Sequence, residues 1–419
     1  MNSAFSTALS GLNSDSAAIN IVSNDLANLN TTGYKATSSE FSDLMSEQLG
    51  ASSTSGQLGM GVGQVSAVTN YTQGSIQTTN GPTDVALEGN GFFVVQNQNN
   101  QTLYTRDGSF QVNASGQLVT ASGDLVQGWG ATNGTVNTNS AAGSISVPLG
   151  ATIPATATTE MSLALNLNSA ASTTGAAATF SSPIQVFDSE GTSHTLTATF
   201  TNTGINTWSY SLTIPSTDLS AGGATPATVA SGNLTFDSSG NLITPAANTD
   251  PQPVSVKGLA DGAADMSIGW NLYGSSGSPN ITQYAEASGV SGTTQNGSTA
   301  GQISQVSLQN GGLLVANYSN GQTLTVGQLA VASISNPESL TSAGNNNLAA
   351  SATTATPSVG AANTGSRGQI VAGALESSTV DIASEFTNLL TFERGYQANS
   401  RVITTADQIL QETINLIHA

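Results

Sequence analysis

Few side chains of this 419-residue sequence could carry out chemistry. The only histidines are His194, in a threonine-rich segment, and His418, and there is no cysteine. A lone histidine is more often a satisfied or exposed side chain than a catalyst, and the lack of cysteine excludes disulfides, thiolate catalysis and cysteine metal sites. No zinc spacing, P-loop, EF-hand loop or nucleophile elbow is present. We therefore expect no enzyme activity, no metal and no cofactor, although carboxylates that converge from distant loops are an open alternative.

Two other patterns resemble functional motifs but have plainer explanations. Asp188 and Glu190 could act as paired carboxylates, yet the adjacent Gly191 predicts the turn of a hairpin. The glycine-rich segment 56–63 resembles a nucleotide loop, but a dinucleotide fingerprint must open a helix, and residues 64–68 alternate like a strand. The sequence thus predicts a turn and a glycine-rich loop at these places.

The charge of the chain excludes two classes of partner. There are 6 Lys and Arg residues against 25 Asp and Glu residues, which gives a formal net charge of -19. Such a chain repels nucleic acid phosphates and anionic lipid surfaces. No secretory signal peptide and no run of transmembrane length is visible. We expect no nucleic acid partner and no membrane insertion.

The elements that must position any site are two terminal helices with apolar residues at seven-residue spacing. This spacing is typical of a helix that buries one narrow seam, and the C-terminal helix would span roughly 55 Å. We expect the helices to pack in a coiled-coil-like way, with each other or with copies of themselves. The predicted assembly seams are Phe5, Leu12, Ile19, Val22, Leu26 and Leu29 in the N-terminal helix and Ile382, Leu389, Tyr396, Ile403, Leu410 and Ile417 in the C-terminal helix.

Two basic residues of the C-terminal helix lie off this seam. Arg394 and Arg401 are close together in a chain that has only 6 basic residues. Because arginine pairs strongly with carboxylates, we expect them to form ion pairs between subunits.

The sequence between the helices predicts β-structure. Residues 84–95 suggest a hairpin around a Gly-Asn-Gly turn, 103–112 a second around an Asp-Gly turn, and 313–326 a third around an Asn-Gly turn. Near residue 150 the chain becomes rich in Pro, Ala and Thr, which indicates a domain boundary.

The predicted fold is therefore mainly β with α-helical termini, in which two β domains are inserted between the terminal helices. We predict four parts, which are a terminal helical domain of 1–35 plus 370–419, a connector of 36–70, an inner β domain of 71–147 plus 300–365, and an outer inserted β domain of 148–299.

Longer motifs at both ends resemble the signatures of the bacterial flagellar axial proteins, the family of rod and hook subunits. Segment 24–35 fits a pattern that reads Asn-Leu-Ala-Asn, then Asn-Thr-x-Gly, an aromatic residue and Lys, and 373–381 and 395–399 fit the C-terminal signature. Two long motifs in the right order make this resemblance specific. The residues that match it are Asn28, Thr31, Gly33, Tyr34, Lys35, Glu376, Asp381, Gln397 and Asn399.

The resemblance implies a structural function. Proteins of this family polymerise into a tube whose central channel is lined by the paired terminal helices. Rod subunits are generally shorter, so the inserted domain at 148–299 favours a hook subunit, which forms a flexible curved tube that transmits motor torque to the filament. A distal rod subunit is the alternative, followed by a secreted adhesin-like β protein.

Partners and location also follow from the resemblance. They would be many copies of the same chain in a helical tube, the distal rod protein, the hook cap protein, the hook-filament junction protein and the flagellar secretion apparatus. The protein would lie outside the cell, in the hook and basal body, after export without a cleaved signal peptide.

Overall fold

The structure is a computed structural model that describes residues 2–44, 47–48, 57–175 and 178–417. Helix α1 spans Asn2–Ala27 and helix α2 spans Ile382–Ile417, and the elements between them are strands and short 3-10 turns. This confirms the predicted arrangement of β domains between two terminal helices. In the described ranges, no helix combines the length and the apolar character that crossing a bilayer requires.

The chain forms two compact units. Unit 1 comprises Met1–Leu149, Gln305–Ala316 and Leu324–Ala419, and unit 2 comprises Gly150–Ser304 and Asn317–Thr323. Up to residue 149 the strands are β1 Thr37–Glu40, β2 Glu47–Gln48, β3 Gln57–Leu58, β4 Ser66–Thr69, β5 Ile76–Thr78, β6 Val85–Glu88, β7 Phe92–Gln96, β8 Thr102–Thr105, β9 Gln111–Val112, β10 Leu118–Val119, β11 Leu125–Thr132, β12 Thr135–Val136 and β13 Gly143–Ser144.

Further strands continue in chain order. Those of unit 2 are β14 Thr152–Ile153, β15 Glu160–Asn168, β16 Thr179–Phe187, β17 Ser193–Gly204, β18 Thr207–Ile214, β19 Ala227–Phe236, β20 Leu242–Thr244, β21 Gln252–Val256, β22 Met266–Asn271, β23 Ile281–Tyr284 and β24 Gly289–Gln295. The remaining strands are β25 Gly301–Gln309, β26 Leu313–Tyr318, β27 Thr323–Leu329, β28 Val331–Ser333, β29 Thr341–Gly344, β30 Asn347–Ala349, β31 Ser358–Gly360, β32 Gln369–Ala372 and β33 Ala374–Glu376.

The two helices of unit 1 pack against each other in antiparallel orientation. A Cβ atom at Gly11 of α1 would lie 2.6 Å from Asn399 Nδ2 of α2, and one at Gly395 would lie 2.8 Å from Asp15 Oδ2. Glycine disfavours a helix by about 1 kcal/mol relative to alanine. Here its small size lets the two helices approach closely.

The strands of unit 1 contradict two predicted hairpins. Strand β6 pairs with β32 and strand β7 with β8, so residues 84–95 do not form a hairpin. Strand β8 pairs with β30 while β9 pairs with β10, so 103–112 is not a hairpin either. A turn signal shows where the chain reverses but not which strands pair. The partner of β6 is β32, which lies near the C-terminal motif. The Asn-Gly hairpin of β26 and β27 is confirmed.

Unit 2 is a β-sandwich with one core. One sheet has the strand order β16-β17-β18-β19-β20, and the other has β21-β22-β15-β23 with β24 beside β15. Side chains from both sheets form a single apolar cluster, in which Tyr210 of β18 meets Trp270 of β22 edge to face with ring centroids 5.0 Å apart. Alternate residues of β18 are buried, as expected for a strand with one face toward the core.

Candidate functional site

Both terminal motifs meet the β part of unit 1 at one buried carboxylate, Glu376. Strand β33 pairs with β5, and the carbonyl of Glu376 accepts from the amide of Gly33 in the chain that follows α1. Lys35 Nζ lies 2.6 Å from Glu376 Oε1, and Arg106 Nη1 lies 3.3 Å from Glu376 Oε2. The exposed fractions of Glu376, Lys35 and Arg106 are 1%, 7% and 6%. We call these three residues the Glu376 junction.

The charged groups of the Glu376 junction also bind the backbone around them. Lys35 Nζ donates to the Thr72 carbonyl at 2.7 Å, and the Gly74 amide donates to Glu376 Oε1 at 2.8 Å. Arg106 donates to the carbonyls of Leu87 and Gly89 and lies 5.4 Å from the centroid of the Phe92 ring. Such further hydrogen bonds offset the cost of burying an ion pair, and among the described residues only the Nε atom of Arg106 in this junction lacks a partner.

Burial sets the electrostatics of the two cations. Burial lowers the pKa of the Lys35 amine and of the Arg106 guanidinium, and the nearby Glu376 opposes both shifts. Two basic groups face one carboxylate here, and removing that carboxylate would leave both cations buried without a counter-ion. This arrangement joins three chain segments that are distant in sequence, and both ion pairs resist their separation.

The glycine of the N-terminal motif is required by the Glu376 junction. Gly33 has a φ of +68° and its amide donates to the Glu376 carbonyl at 2.8 Å. A Cβ atom at this position would lie 2.6 Å from the backbone carbonyl carbon of Arg106. Any other residue would therefore push the motif away from Arg106 and from Glu376.

Other motif residues end α1 and begin α2. The Asn28 side chain donates to the Asn24 carbonyl at 2.9 Å and accepts a hydrogen bond from Thr31 Oγ1 at 3.0 Å. Asp381 Oδ1 accepts from the amides of Ala383 at 2.8 Å and Ser384 at 3.2 Å, which makes it the N-cap of α2. These residues thus fix where each helix stops and starts.

The last turn of α1 contains a buried carboxylate that the sequence analysis missed. Asp25 is fully buried, and it accepts hydrogen bonds from the Tyr34 hydroxyl at 2.7 Å and from the Thr37 amide at 2.8 Å. Burial raises the pKa of Asp25, and burial together with Asp25 raises the pKa of Tyr34. Because a carboxylate near a helix C-terminus is unfavourable, its position two residues before the end of α1 was a signal of a specific role.

A second contact between the helices joins Asn399 to Asp15. Asn399 Nδ2 donates to Asp15 Oδ2 at 3.0 Å, next to the close approach at Gly11 and Gly395. Gln397, two positions from both Gly395 and Asn399, is exposed. Asp15 interrupts the apolar pattern of the N-terminal helix, and the structure shows it as a polar contact between helices.

The predicted seams are only partly covered within one chain. In α1 the structure buries Val22, half-buries Leu12, Ile19, Leu26 and Leu29, and exposes Phe5. In α2 it half-buries Leu389, Ile403 and Leu410 and exposes Ile382 and Tyr396, while the side chain of Ile417 lies outside the described residues. Further exposed apolar residues of α2 are Phe386, Leu390, Val402, Ile409 and Ile414. The helix pair therefore presents apolar surface, and its role in assembly stays a prediction.

The two arginines of α2 are exposed. Within the part of the chain that the structure describes, no carboxylate lies within salt-bridge distance of Arg394 or Arg401. Their pairing with another subunit stays a prediction. His418, in contrast, lies outside the described residues.

Family models match four segments of the chain. A model described as "Flagella basal body rod protein" matches residues 5–35, and "Flagellar hook protein FlgE/F/G D1 domain" matches 86–164. "Flagellar basal body protein FlaE D2 domain" matches 152–298, and "Flagellar basal body rod FlgEFG protein C-terminal" matches 371–416. Each residue of the Glu376 junction thus lies in a different matched segment.

Alignments with similar proteins cover nearly the whole chain. The flagellar hook protein FlgE of Escherichia coli K12 is 30% identical, and the alignment covers 99% of this chain and 100% of that protein. The flagellar hook protein FlgE of Rhizobium meliloti is 32% identical, with 98% of each chain covered. A crystal structure of the Helicobacter pylori flagellar hook protein FlgE2 has a TM-score of 0.46 at 14% identity and covers 65% of this chain and 93% of that one.

Proposed function

The chain belongs to the family of the flagellar hook protein FlgE, and from this premise we propose how it carries out the function of a hook subunit. Hook subunits are structural parts of the flagellum, and the distal rod alternative is not favoured by full-length relatives that are named as hook proteins. In our proposal the mechanism is mechanical, and no reaction takes place on the protein. The chain self-assembles into a flexible curved tube that transmits motor torque to the filament.

The Glu376 junction is the observation that supports this mechanism. Torque that acts on the terminal helices must reach the β part of the same subunit through the chain segments that join them. Lys35 follows α1, Glu376 precedes α2, and Arg106 belongs to the β part, so one buried group connects all three. A load that pulls on either helix is therefore carried by two ion pairs as well as by the backbone.

The exposed apolar residues of the helices support self-assembly. Phe386 and Leu390 are 54% and 49% exposed on α2, and Leu9 is 42% exposed on α1. Apolar surface of this kind marks an interaction site. We propose that the terminal helices of neighbouring copies cover it and that Arg394 and Arg401 bind carboxylates of those copies.

The domain boundaries form part of the same proposal. The terminal helical domain comprises 1–35 plus 370–419, the connector 36–70, the inner β domain 71–147 plus 300–365, and the outer β domain 148–299. In the polymer the helices would line the channel. A chain in which a short linker replaces 150–298 should keep a folded inner domain, and recovery of unfolded chain alone would contradict this partition.

The proposed partners are those of a hook subunit. They are further copies of this chain, the distal rod protein, the hook cap protein, the hook-filament junction protein and the flagellar secretion apparatus. Export without a cleaved signal peptide is part of this proposal. Protein sequencing of the N-terminus of subunits from isolated hooks would test it directly.

Electron microscopy of the purified chain tests the proposed function. We expect the full-length protein to polymerise into hollow tubes at high concentration. A variant that ends at Asp381 lacks α2 and should stay monomeric under the same conditions. Amorphous aggregates or monomers from the full-length chain, under conditions that polymerise a known hook protein, would contradict the proposal.

A further inference from the structure

Unit 2 contains a cluster of metal-ligand side chains that the assembly function does not use. His194 lies on β17, where its Nε2 is 3.0 Å from Asp188 Oδ2 and 3.6 Å from Asp261 Oδ2. These three atoms all lie within 4.8 Å of one another. Asp188 and His194 are buried, and the Asp261 side chain is 26% exposed. Two of the three side chains are therefore shielded from solvent, whereas Asp261 is an exposed residue and opens the cluster to solvent.

Backbone hydrogen bonds fix both carboxylates toward the histidine. Asp188 lies in the turn between β16 and β17, and its Oδ1 accepts from the amides of Glu190 at 2.8 Å and Thr192 at 2.9 Å. Asp261 lies between β21 and β22, and its Oδ1 accepts from the amide of Ala263 at 3.1 Å. Each carboxylate thus uses one oxygen to hold its own loop and presents the other oxygen to His194.

A third carboxylate orients the imidazole ring. His194 Nδ1 lies 3.1 Å from Asp218 Oδ2, at the end of the 3-10 turn Ser216–Asp218. Both ring nitrogens face a carboxylate, so a metal ion on Nε2 would take the place of a proton there while Asp218 keeps the proton on Nδ1. Histidine ligands of metal ions generally have such a partner on the nitrogen that does not bind the metal.

Two carboxylate oxygens, Asp188 Oδ2 in the interior and Asp261 Oδ2 at the surface, face His194 Nε2. Like charges that face each other away from water repel, and a proton or a metal ion must offset them. Ligands at about 2.0 to 2.1 Å from a tetrahedral zinc ion lie about 3.3 Å apart. The distances from His194 Nε2 to the two oxygens, 3.0 and 3.6 Å, lie on either side of this value.

We propose that Asp188, His194 and Asp261 bind a divalent transition-metal ion such as Zn²⁺. Imidazole and carboxylate ligands suit this class of ion, and water would complete the coordination on the side of Asp261. Asp218 is a positioning residue that holds His194. The bound ion connects β17 to two loops of unit 2 and stabilises the sandwich by an amount that grows with the logarithm of its free concentration above the dissociation constant.

The test uses the full-length chain without a polyhistidine tag, treated with EDTA and then dialysed. Addition of CoCl₂ should give the visible absorption of a bound cobalt ion with a stoichiometry of one, and ZnCl₂ should displace it and raise the melting temperature of unit 2. His194→Gln should abolish the absorption. Asp218→Asn should weaken binding by about 10- to 100-fold, as loss of a group that orients a ligand does.

Two further variants keep the test decisive. Asp261→Asn changes a partly exposed ligand, so the fold should persist while cobalt binding is lost. Asp265→Asn is the matched control, because Asp265 lies in the same loop, bonds the Gly258 amide at 2.9 Å and is outside the cluster. It should bind cobalt like the wild type.

Three results would overturn the proposal. The first is a cobalt spectrum of the wild type that equals that of the free ion. The second is an equal effect of zinc on the wild type and His194→Gln, which would assign binding to surface carboxylates. The third is an NMR spectrum in which the His194 ring carries both protons and does not respond to zinc, because a proton would then fill the place of the metal.

Discussion

Lys35 Nζ and Glu376 Oε1 lie 2.6 Å apart although 341 positions separate the two residues in the sequence. This buried ion pair connects the motif that follows α1 to the motif that precedes α2. Arg106 adds the β part of unit 1 to the same carboxylate. The residues that make the terminal signatures of this chain thus serve to hold its two ends and its β strands together.

Glu376→Gln should strongly destabilise unit 1. Glutamine keeps the size of the side chain but removes the charge, which leaves Lys35 and Arg106 buried without a counter-ion. Breaking a buried pair in this way typically costs about 3 to 5 kcal/mol. Hydrogen exchange of strands β5 and β33, followed by mass spectrometry, should show a loss of protection, while the strands of unit 2 should exchange as in the wild type.

Glu88→Gln provides the matched control for this variant. Glu88 is exposed on β6, and its Oε2 accepts a hydrogen bond from Gln369 Nε2 at 2.6 Å. Exposed charge substitutions usually change stability by less than about 0.5 kcal/mol. Equal loss of protection in both variants would show that the Glu376 junction contributes no more to stability than an exposed carboxylate does.

Gly33→Ala should destabilise unit 1 more than Gly123→Ala. Both glycines have a positive φ, +68° and +87°, so alanine is strained at either place by about 1 kcal/mol. Only at Gly33 would the added Cβ contact backbone, 2.6 Å from the Arg106 carbonyl carbon, whereas nothing lies within 4 Å at Gly123. Urea unfolding of the two variants measures the difference, and equal midpoints would refute the close contact.

The sequence predicted the two terminal helices and the motifs beside them, but it did not predict the contacts that connect these motifs to each other and to the β strands. Seven-residue spacing identifies α1 and α2 because it depends only on residues within each helix. The pairing of β6 with β32 depends on residues more than two hundred positions away, so the Gly-Asn-Gly turn could not show it. Arg106 was missed for the same reason, because its partner Glu376 is 270 positions away.

The cluster around His194 shows the same limit. Asp188 and His194 are close in sequence, and Asp188 was correctly predicted to lie in a hairpin turn. Asp261 comes from a loop between two strands of the other sheet, and no ligand spacing connects it to His194. Local patterns therefore find elements, whereas sites that combine several loops require the fold.

Asp25 should make unit 1 less stable as the pH rises. Burial raises the pKa of Asp25 above its ordinary value of 3.8, so the folded state holds this proton more tightly than the unfolded chain does. Its contribution to stability is complete below the unfolded pKa and decreases as the pH rises through the raised folded pKa. Asp25→Asn should remove this dependence, and its single side-chain oxygen can still accept from the Thr37 amide.

Thermal unfolding of both proteins between about pH 3 and pH 7 measures this effect, because the difference between them isolates one group. Glu385, near the start of α2, also has a pKa raised by burial and by Asp25. Glu385→Gln should therefore reduce part of the pH dependence of stability over the same pH range. Parallel curves for the wild type and Asp25→Asn would show that Asp25 is not desolvated in solution.

Ile403→Asp should prevent assembly without unfolding unit 2. Ile403 is half-buried in α2 and belongs to the predicted seam. Loss of a large packed side chain typically costs about 2 to 5 kcal/mol, and an unpaired carboxylate at the interface adds to this. Since about 1.4 kcal/mol is a tenfold change in an equilibrium constant, each contact should weaken at least about a hundredfold.

Ile205→Asp is the control, because Ile205 is 93% exposed and lies outside both helices. Sedimentation and electron microscopy should find tubes for this control and monomers for Ile403→Asp, with the same melting transition of unit 2 in both. Tubes of wild-type yield from Ile403→Asp would refute the seam, and a lost transition of unit 2 would show that the substitution acts on the fold of the subunit instead of on assembly.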